Sequence, residues 1–513
     1  METMSSISNS PSARHFSGAR IGPMMKSLRY VVPMLIVSAA LTSCLGQSSN
    51  ATTHVRGINL ITDGPLTEFT VDGTDVSSAE YGSMGPVTAA GTGTHTLGVA
   101  IVTPSNLITQ PQQTYTPFGS TVNEDMTANL GYTVIAYGTM ADTKYLVMAN
   151  TDLTNAPATD TATYQVVDAA PNSPPLDIYI TAPEAGITVA RNIGGINYGQ
   201  SSTEGLLNIV MPPGLINTST TLTVNITIEL RSPTTGVSVI PPTTITASAL
   251  NRVLFVIADN IGPGASPVVI DALVSTTGAA ASGNLLANPA DVAELAFANV
   301  SVDSPPFTIF GGLSLQQTLA ADIAYTQKSA YADVPSGVAG TIAALTSDPT
   351  QFKFLVSFTS TPNASYTEYA VGPFVPIESF TTVQGLVLLD DRRSVPVQGE
   401  LRFVNAAWSL QYGPTVDIYT VPHDQGLNIA PSNGNRPPPN YPSVAYKAST
   451  AYTQLLPGAY DLYMAYSGTS SIIMGPVELV VKDGGIVTYV LTNDIVGSGE
   501  DYVLIPFNDA RPL

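Results

Sequence analysis

The chain has 513 residues, too many for a single hydrophobic core, so several domains are expected. It is rich in Gly (42), Pro (40) and Tyr (23), contains 44% hydrophobic but only 11% charged residues, and carries a net charge of −20. This composition excludes wholesale disorder, and the acidic charge argues against a nucleic-acid partner because it repels a phosphate backbone.

A short apolar segment at 30–41 follows the basic residues Lys26 and Arg29. A basic region, a short apolar run and small residues before a cleavage point are typical of a secretory signal. The run is about a dozen residues long, whereas a transmembrane helix needs roughly 20. We therefore expect residues 1–43 to be a signal segment that is removed.

Cys44 is the only cysteine, so no disulfide can form within the chain. Its position after Leu-Thr-Ser at 41–43 resembles the lipobox of bacterial lipoproteins, with a free thiol as the alternative. The resemblance implies cleavage before Cys44 and attachment of several acyl chains, which together hold a protein firmly at a membrane. Leu45 in place of an aspartate favours, by the same resemblance, the outer membrane, on its periplasmic or surface face. Residues 44–53 are small and polar, as expected of a flexible tether.

One strand–turn–strand pattern occurs four times, at 55–73, 164–181, 295–311 and 401–420. Its second strand carries Glu68, Asp177, Thr308 or Asp417, at intervals of 109, 131 and 109 residues. Solenoid repeats are only about 20–50 residues long, so each copy here is a whole domain. The abundance of strand-forming and turn-forming residues predicts an all-β class.

We therefore expect four tandem immunoglobulin-like or transthyretin-like β-sandwich modules after the signal segment. They are predicted at residues 54–158, 159–280, 290–395 and 396–513. In the second, the apolar run VLFVIA at 253–258 predicts a strand buried on both faces. After it, TTGAAASGNLLANP at 276–289 is interpreted as a low-complexity linker.

The best-preserved motifs are VNAA at 404–407, DIY at 417–419, VAY at 444–446 and PGAY at 457–460, with VDAAP at 167–171 and DIY at 177–179. These motifs resemble the bacterial family called domain of unknown function 4397. The resemblance implies small β-sandwich domains in tandem on exported bacterial proteins, and it implies no reaction. Glu68 and Thr308 depart from the family pattern, so the first and third modules are assigned by repeat position.

The sequence predicts no catalytic, cofactor or metal site. Its four histidines are scattered, and it contains no nucleophile elbow, phosphate-binding glycine loop or EF-hand calcium loop. The pairs Asp390-Asp391 and Asn508-Asp509 are interpreted as turn residues at module ends, with a calcium site as the alternative. Asp177 and Asp417 recur at one structural position and are interpreted as capping residues rather than catalytic carboxylates.

A long, proline-rich loop at 421–443 follows the signature strand of the fourth module. Long loops without structure of their own are usually functional or disordered, and polyproline stretches lower the entropy lost on binding. We predict a partner-contact surface that includes Trp408, Tyr412, Pro438 and Tyr441. The alternative is a passive insertion with Trp408 packed beneath it.

The resulting functional expectation is a lipid-anchored cell-envelope protein with a structural or binding role and no catalysis. Its expected partners are the membrane, through lipid on Cys44, and an envelope protein or polysaccharide. Two alternatives stay open: a carbohydrate-binding or adhesin-like surface protein, favoured by a flat strip of exposed aromatic rings, and an enzyme with an unrecognised site.

Overall fold

The structure, a computed structural model, describes residues 52–102, 104, 115–151, 153–209, 222–276, 278–311, 317–376, 382–423, 425–429, 436–494 and 502–511. These residues form 34 β-strands and two short 3-10 turns, Pro183–Ala185 and Trp408–Leu410, with no α-helix among them. The predicted all-β class is therefore confirmed. No helix in these ranges has the length and apolar character needed to cross a bilayer.

The strands form four modules with one plan of eight strands in two sheets. We call the sheet with the strand order fourth–first–seventh–eighth the inner sheet. The outer sheet has the order third–second–fifth–sixth. In every module the first strand pairs in parallel with the seventh, and the remaining neighbours within each sheet are antiparallel. Module 1 has one additional short strand, β5, and module 2 ends with an additional strand, β18.

The strands of the first two modules follow in chain order. Module 1 comprises β1 (Thr53–Ile61), β2 (Thr67–Val71), β3 (Thr74–Ala79), β4 (Ser83–Met84), β5 (Thr88–Ala90), β6 (Gly93–Val102), β7 (Tyr115–Met126), β8 (Leu130–Gly138) and β9 (Thr143–Thr151). Module 2 comprises β10 (Thr161–Asp168), β11 (Leu176–Ala182), β12 (Ile187–Ile196), β13 (Gly205–Asn208), β14 (Thr223–Arg231), β15 (Ser238–Ser248), β16 (Arg252–Asp259), β17 (Val268–Ser275) and β18 (Ala281–Leu286).

The last two modules have eight strands each. Module 3 comprises β19 (Ala293–Asn299), β20 (Phe307–Gly311), β21 (Gln317–Ile323), β22 (Ala332–Val334), β23 (Gly337–Leu345), β24 (Asp348–Ser360), β25 (Ser365–Val371) and β26 (Gln384–Asp390). Module 4 comprises β27 (Gly399–Asn405), β28 (Val416–Pro422), β29 (Tyr441–Val444), β30 (Thr453–Leu455), β31 (Gly458–Tyr466), β32 (Ile472–Val481), β33 (Ile486–Asn493) and β34 (Tyr502–Asn508).

The modules pack in pairs through their inner sheets. Besides the core within each sandwich, one apolar cluster joins the inner sheets of modules 1 and 2, and another joins those of modules 3 and 4. The first strands β19 and β27 are buried along their whole length because both of their faces are covered. The predicted two-face burial of 253–258 in β16 is confirmed for the same reason.

An amide side chain at the end of the first strand fixes the turn into the second. In module 4, Asn405 Oδ1 accepts the Ala407 N–H at 3.1 Å, and its Nδ2 donates to the Val444 carbonyl, the last of the third strand, at 3.1 Å. Asn59 and Asn299 make the same two bonds in modules 1 and 3. Module 2 has Asp168 here, whose Oδ1 accepts the Ala170 N–H. The motif recognised in the sequence is thus a structural clamp.

The stretch 276–289, predicted to be a linker, contains a strand. Ala281–Leu286 pairs antiparallel with β17 on one side and with the two-residue strand β4 of module 1 on the other. It thereby joins the inner sheets of modules 1 and 2 into one ten-stranded sheet. The small residues of this segment permit close strand pairing instead of supplying flexibility, so the linker interpretation is wrong here.

Candidate functional site: the cavity between the module pairs

Two buried carboxylates tie modules 3 and 4 together. Asp390 ends β26, and Asp509 directly follows β34, the last strand of module 4. Arg402 Nη2 of module 4 lies 2.6 Å from Asp390 Oδ1, and Lys328 Nζ of module 3 lies 2.5 Å from Asp509 Oδ1. Each module therefore supplies the cation that neutralises the carboxylate of the other.

The remaining carboxylate lone pairs are also satisfied. Tyr331 Oη and Thr367 Oγ1 donate to Asp390 Oδ2 at 2.8 and 2.5 Å, and Tyr452 Oη donates to Asp509 Oδ2 at 2.8 Å. Buried ion pairs are tolerated when such hydrogen bonds complete their shells. The interpretation of these two aspartates as simple turn residues is therefore wrong: they are interface charges.

Two arginines that follow these aspartates converge on one glutamate. Arg511 Nη2 lies 2.8 Å from Glu294 Oε1, and Arg392 Nη1 donates to the same oxygen. Burial alone would raise the pKa of Glu294, but the hydrogen bonds from Ser365 and the two guanidinium groups hold this pKa below its usual value. The cluster places two guanidinium groups at the edge of the module 3–4 pair that faces modules 1 and 2.

Arginine side chains also bridge the two module pairs. Arg393 Nη1 donates to the Gly64 carbonyl of module 1 at 2.7 Å, and its guanidinium lies 4.8 Å from the ring centroid of Tyr81. Arg511 Nη1 donates to the Ile261 carbonyl of module 2. These contacts position the rim of one pair against the rim of the other.

A cavity of about 690 Å³ lies where the four modules meet. Three large apolar side chains line it: Ile261, Leu285 and Leu389. Leu285 and Leu389 keep 57% and 62% of their surface accessible, which is unusual for leucine. Clefts of roughly 300–1,000 Å³ at domain junctions, apolar with a few polar groups, are typical ligand sites.

The charges around the cavity are mixed. Its cations are Arg392, Arg393 and Arg511, and its acids are Asp63, Asp259, Asp390 and Asp391. Burial raises the pKa of Asp259, although hydrogen bonds from Asn172 oppose this shift. Because the signs nearly cancel, the cavity does not have the field of a dedicated anion site.

A smaller pocket of about 250 Å³ adjoins the cavity and shares Tyr81, Val269 and Leu285 with it. It lies where β4 of module 1 meets β17 and β18 of module 2. The carboxylate of Asp271, in β17, belongs to its lining. The fused sheet therefore forms one wall of a two-part site.

One known family matches the chain in two places. The family described as Domain of unknown function (DUF4397) matches residues 53–179 and 293–419. The chain carries tandem DUF4397 repeats. Both matches begin with the first strand of a module, β1 or β19, and end within the second strand of the next, β11 or β28. The second match is displaced from the first by 240 residues at both ends, so the two matches begin two modules apart.

No curated protein matches the chain. Among solved structures, the Bacillus anthracis TIE protein aligns over 84% of this chain and 65% of its own, with 10% sequence identity and a TM-score of 0.13. The chain therefore spans about two thirds of that protein.

The predicted partner-contact residues of the last DUF4397 module do not form one surface. Trp408 begins a 3-10 turn and is only 8% exposed, and Tyr441 is buried with its ring 5.1 Å from that of Phe403. Tyr412, 72% exposed, and Pro438 are accessible. The apolar rings of Trp408 and Tyr441 serve the packing of the module, which corrects the prediction for these two residues.

The lipidation site and part of the long loop lie outside the described residues, and the exposed aromatic side chains do not form one surface. Cys44, the predicted lipidation site, lies outside them, as do 424 and 430–435 of the long loop. Within the described part of the chain, the large aromatic side chains that are exposed are Phe352 of module 3 and Tyr412 of module 4. They stand in different modules, so they do not make the flat aromatic strip that a glycan-binding role would favour.

Asp417 and Asp177 occupy the same position of the second strand in modules 4 and 2, but their side-chain contacts differ. Asp417 accepts the Ser443 N–H and the Ser467 hydroxyl, each at 2.8 Å, and the Gly468 N–H at 3.2 Å, and it pairs with Arg436 at 2.5 Å. The role is structural, as the sequence predicted, but the partners lie at the end of β29, after β31 and in the long loop, and not in the turn that leads into β28. The side chain of Asp177 forms no hydrogen bond or ion pair with any described residue, so the same role is not seen in module 2.

Sequence reasoning missed the cavity because its lining comes from segments hundreds of residues apart. One signal was present: Asp271 interrupts the apolar run VVIDALVS at 268–275. An ionisable residue within a strand buried on both faces requires a local explanation.

Proposed function

We propose that the protein is a lipid-anchored binding protein of the bacterial cell envelope, which holds a small apolar or amphipathic ligand between its two DUF4397 module pairs and catalyses no reaction. The observation that carries this proposal is the cavity of about 690 Å³ with Leu285 and Leu389 left accessible. Exposing leucine to water is unfavourable, and a ligand that covers these side chains recovers that free energy.

The polar groups around the cavity support binding rather than chemistry. The guanidinium groups of Arg393 and Arg511 are engaged with backbone carbonyls, and that of Arg392 with Glu294. Such fixed contacts keep the rims of the two pairs together and hold the cavity open before a ligand arrives. A preformed site loses less entropy on binding than one that must first be ordered.

The binding proposal is tested with 2-phenylethanol, a neutral probe with an apolar body, added to the mature chain carrying Cys44→Ser. Saturation-transfer NMR detects the weak affinity expected of so small a ligand. Leu285→Glu and Leu389→Glu should each weaken binding at least fivefold, because they place a charge in the apolar lining.

Val189→Glu is the matched control. Val189 is strongly exposed on the outer-sheet strand β12, so the same change there should leave binding within twofold of the parent. Absence of saturable binding to the parent protein, or an equal loss in all three variants, would refute a cavity ligand.

The location is proposed from the sequence around Cys44, with the outer membrane as the expected site. The unmodified chain should fractionate with membranes and show an N-terminal mass that includes acyl chains on Cys44. Cys44→Ala should give an uncleaved precursor or a protein released from membranes, because the acylated residue is lost. A mature N-terminus far from residue 44, or one without acyl mass, would contradict the anchor.

A further inference from the structure

The smaller pocket beside the cavity contains a carboxylate that no described residue neutralises. Asp271 is 6% exposed, and neither carboxylate oxygen forms a hydrogen bond or ion pair with any residue in the described ranges. Its neighbours on β17 and in the lining are largely apolar: Leu60, Ala258, Val269 and Leu285. By contrast, Asp390 and Asp509 at the other interface each have a cation and hydroxyl donors.

Two glycines leave the space into which this carboxylate points. A β-carbon added at Gly283 of β18 would lie 1.8 Å from Asp271 Oδ1, and one added at Gly82 would lie 3.1 Å from Oδ2. Gly82 also has a positive φ of 70°, where a larger residue would be strained. The missing side chains at both glycines therefore leave room for the carboxylate, and Tyr81 lines both this pocket and the cavity.

An uncompensated carboxylate in apolar surroundings is unfavourable in its ionised form. Burial raises the pKa of Asp271 to about 7. A ligand cation at this position would restore the charge balance that the protein itself lacks. Because Val269 and Leu285 line both the pocket and the cavity, an apolar group attached to that cation would continue directly into the larger space.

We propose that Asp271 binds the ammonium group of an amphipathic amine whose apolar body lies along Val269 and Leu285 in the cavity. This inference rests on the proposed binding function and specifies its ligand class. An ammonium ion matches the site because it is compact, carries one positive charge and donates hydrogen bonds to a carboxylate that only accepts them. The hydroxyls of Ser83 and Ser282, also in the lining, can accept hydrogen bonds from its remaining N–H groups.

The charge balance makes binding depend on pH. Below pH 7 Asp271 carries a proton that the ammonium ion must displace, so affinity should fall as the pH decreases. The titratable and charged groups on this side of the pocket are Tyr81, Asp259 and Arg393, which lies over the Tyr81 ring. Burial raises the pKa of Tyr81 to about 12, and an arginine stays protonated, so neither changes charge between pH 5.5 and 8. The pKa of Asp259 is also raised by burial, so the assignment to Asp271 requires its own variant.

The experiment compares phenethylamine with 2-phenylethanol on the same mature chain by ligand-observed NMR at pH 8.0 and 5.5. The amine remains an ammonium ion at both pH values, whereas the alcohol is neutral throughout. At pH 8.0 the parent protein should bind the amine at least tenfold more tightly than the alcohol. At pH 5.5 this preference should fall by at least fivefold.

Asp271→Asn keeps the shape of the side chain and removes its charge. It should abolish both the preference for the amine and its pH dependence, while affinity for the alcohol stays within twofold. Glu368→Gln is the matched control: Glu368 is another fully buried acid with its pKa raised to about 7, but it lies in module 3 away from both cavities. This variant should retain the preference of the parent protein.

The two proposals fail in different ways. If neither probe binds, the cavity has no ligand function and both proposals are overturned. If both probes bind equally well to the parent protein, or if Asp271→Asn retains the amine preference, the assignment of Asp271 is wrong while the binding function stands. Should Asp271→Asn fail to fold, the parent protein alone decides the assignment: an amine preference that does not change between pH 8.0 and 5.5 overturns it.

Discussion

Arg56 of module 1 and Arg402 of module 4 occupy the same place in their modules, yet their surroundings differ. Each is the fourth residue of a first strand, and each Nε donates to a threonine of the paired seventh strand: Thr133 at 3.0 Å or Thr488 at 2.9 Å. Across the module interface, Arg402 forms an ion pair with Asp390, whereas Arg56 donates a hydrogen bond to the Ser275 hydroxyl at 3.3 Å and forms no ion pair with a described residue.

The pKa values of these two guanidinium groups follow the contrast. Burial, reinforced by Arg252 and opposed by the weaker attraction of Glu204, lowers the pKa of Arg56 to about 10. Burial also acts to lower the pKa of Arg402, but the neighbouring tyrosines and the carboxylates of Asp390 and Asp509 raise it above its ordinary value. The same strand plan thus tolerates, at one position, either an arginine in an ion pair or an arginine hydrogen-bonded only to hydroxyl groups among the described residues. Both module pairs are joined by an apolar cluster between their inner sheets. They differ in the charged groups that lie beside this cluster.

The largest effect expected from this comparison is the loss of Arg402. Arg402→Met leaves Asp390 and Asp509 with Lys328 as the remaining cation, and breaking a buried ion pair costs about 3–5 kcal/mol. Arg56→Met should change the free energy of unfolding by less than about 1 kcal/mol, because burial and the repulsion by Arg252 disfavour this charge more than Glu204 favours it. Differential scanning calorimetry of both variants measures this difference. Equal destabilisation would show that the two environments are energetically equivalent.

The recurring acid of the second strand gives the next largest contrast. Asp417→Ala removes four acceptor contacts at one buried carboxylate and should cost about 2–4 kcal/mol. Asp177→Ala removes no such bond and should stay within about 0.5 kcal/mol. Denaturation followed by the fluorescence of Trp408, the only tryptophan, reports directly on module 4 for the first variant; circular dichroism follows the second. A marked loss of stability for Asp177→Ala would reveal a contact beyond the described residues.

The clamp at the end of the first strand offers a change that stabilises the protein. Asp168 is fully buried, its Oδ2 has no hydrogen-bond partner among the described residues, and burial raises its pKa from 3.8 to about 6. Because the folded state binds this proton more tightly than the unfolded state, stability falls as the pH rises from about 4 to 6 and then levels off. Asp168→Asn should therefore increase the free energy of unfolding by about 2 kcal/mol at pH 8 and much less at pH 4.

Asn405→Asp is the reciprocal control for that prediction. It puts a carboxylate where Nδ2 now donates to the Val444 carbonyl, so it should destabilise the protein at pH 8 and recover stability on acidification. Thermal melts at both pH values measure the two variants. If Asp168→Asn has the same effect at pH 4 and pH 8, the carboxylate is not the cause.

The strands and turns within a module could be predicted from the sequence, but the contacts between modules could not. The turn after Asn405 and the two-face burial of 253–258 follow from short-range sequence patterns, because strands and turns are specified by neighbouring residues. Those patterns show that an inner sheet has two covered faces, but not which module covers the second. Asp390 and Asp509 looked like turn residues because their cations, Arg402 and Lys328, belong to another module, and Cys44 remains a prediction from the sequence.

The candidate site was unpredictable for a related reason. Its cavity takes side chains from all four modules, and its smaller pocket exists only because 281–286 forms a strand between two sheets. A run of Gly, Ala and Ser is compatible with a flexible linker or with close strand pairing, and sequence alone does not decide between them. The one sign of this pairing in the sequence was Asp271, an acidic residue within the apolar run 268–275.

The apolar cluster between the inner sheets has a consequence for fragments of the protein. A module 4 cut from the chain would present Val404, Val490, Ile505 and Phe507 to solvent, because their cover comes from module 3. Exposed apolar faces of this kind promote association. Two copies of such a fragment should therefore dimerise through this face, in place of the contact with module 3. The shortest fragment expected to remain monomeric is a complete module pair.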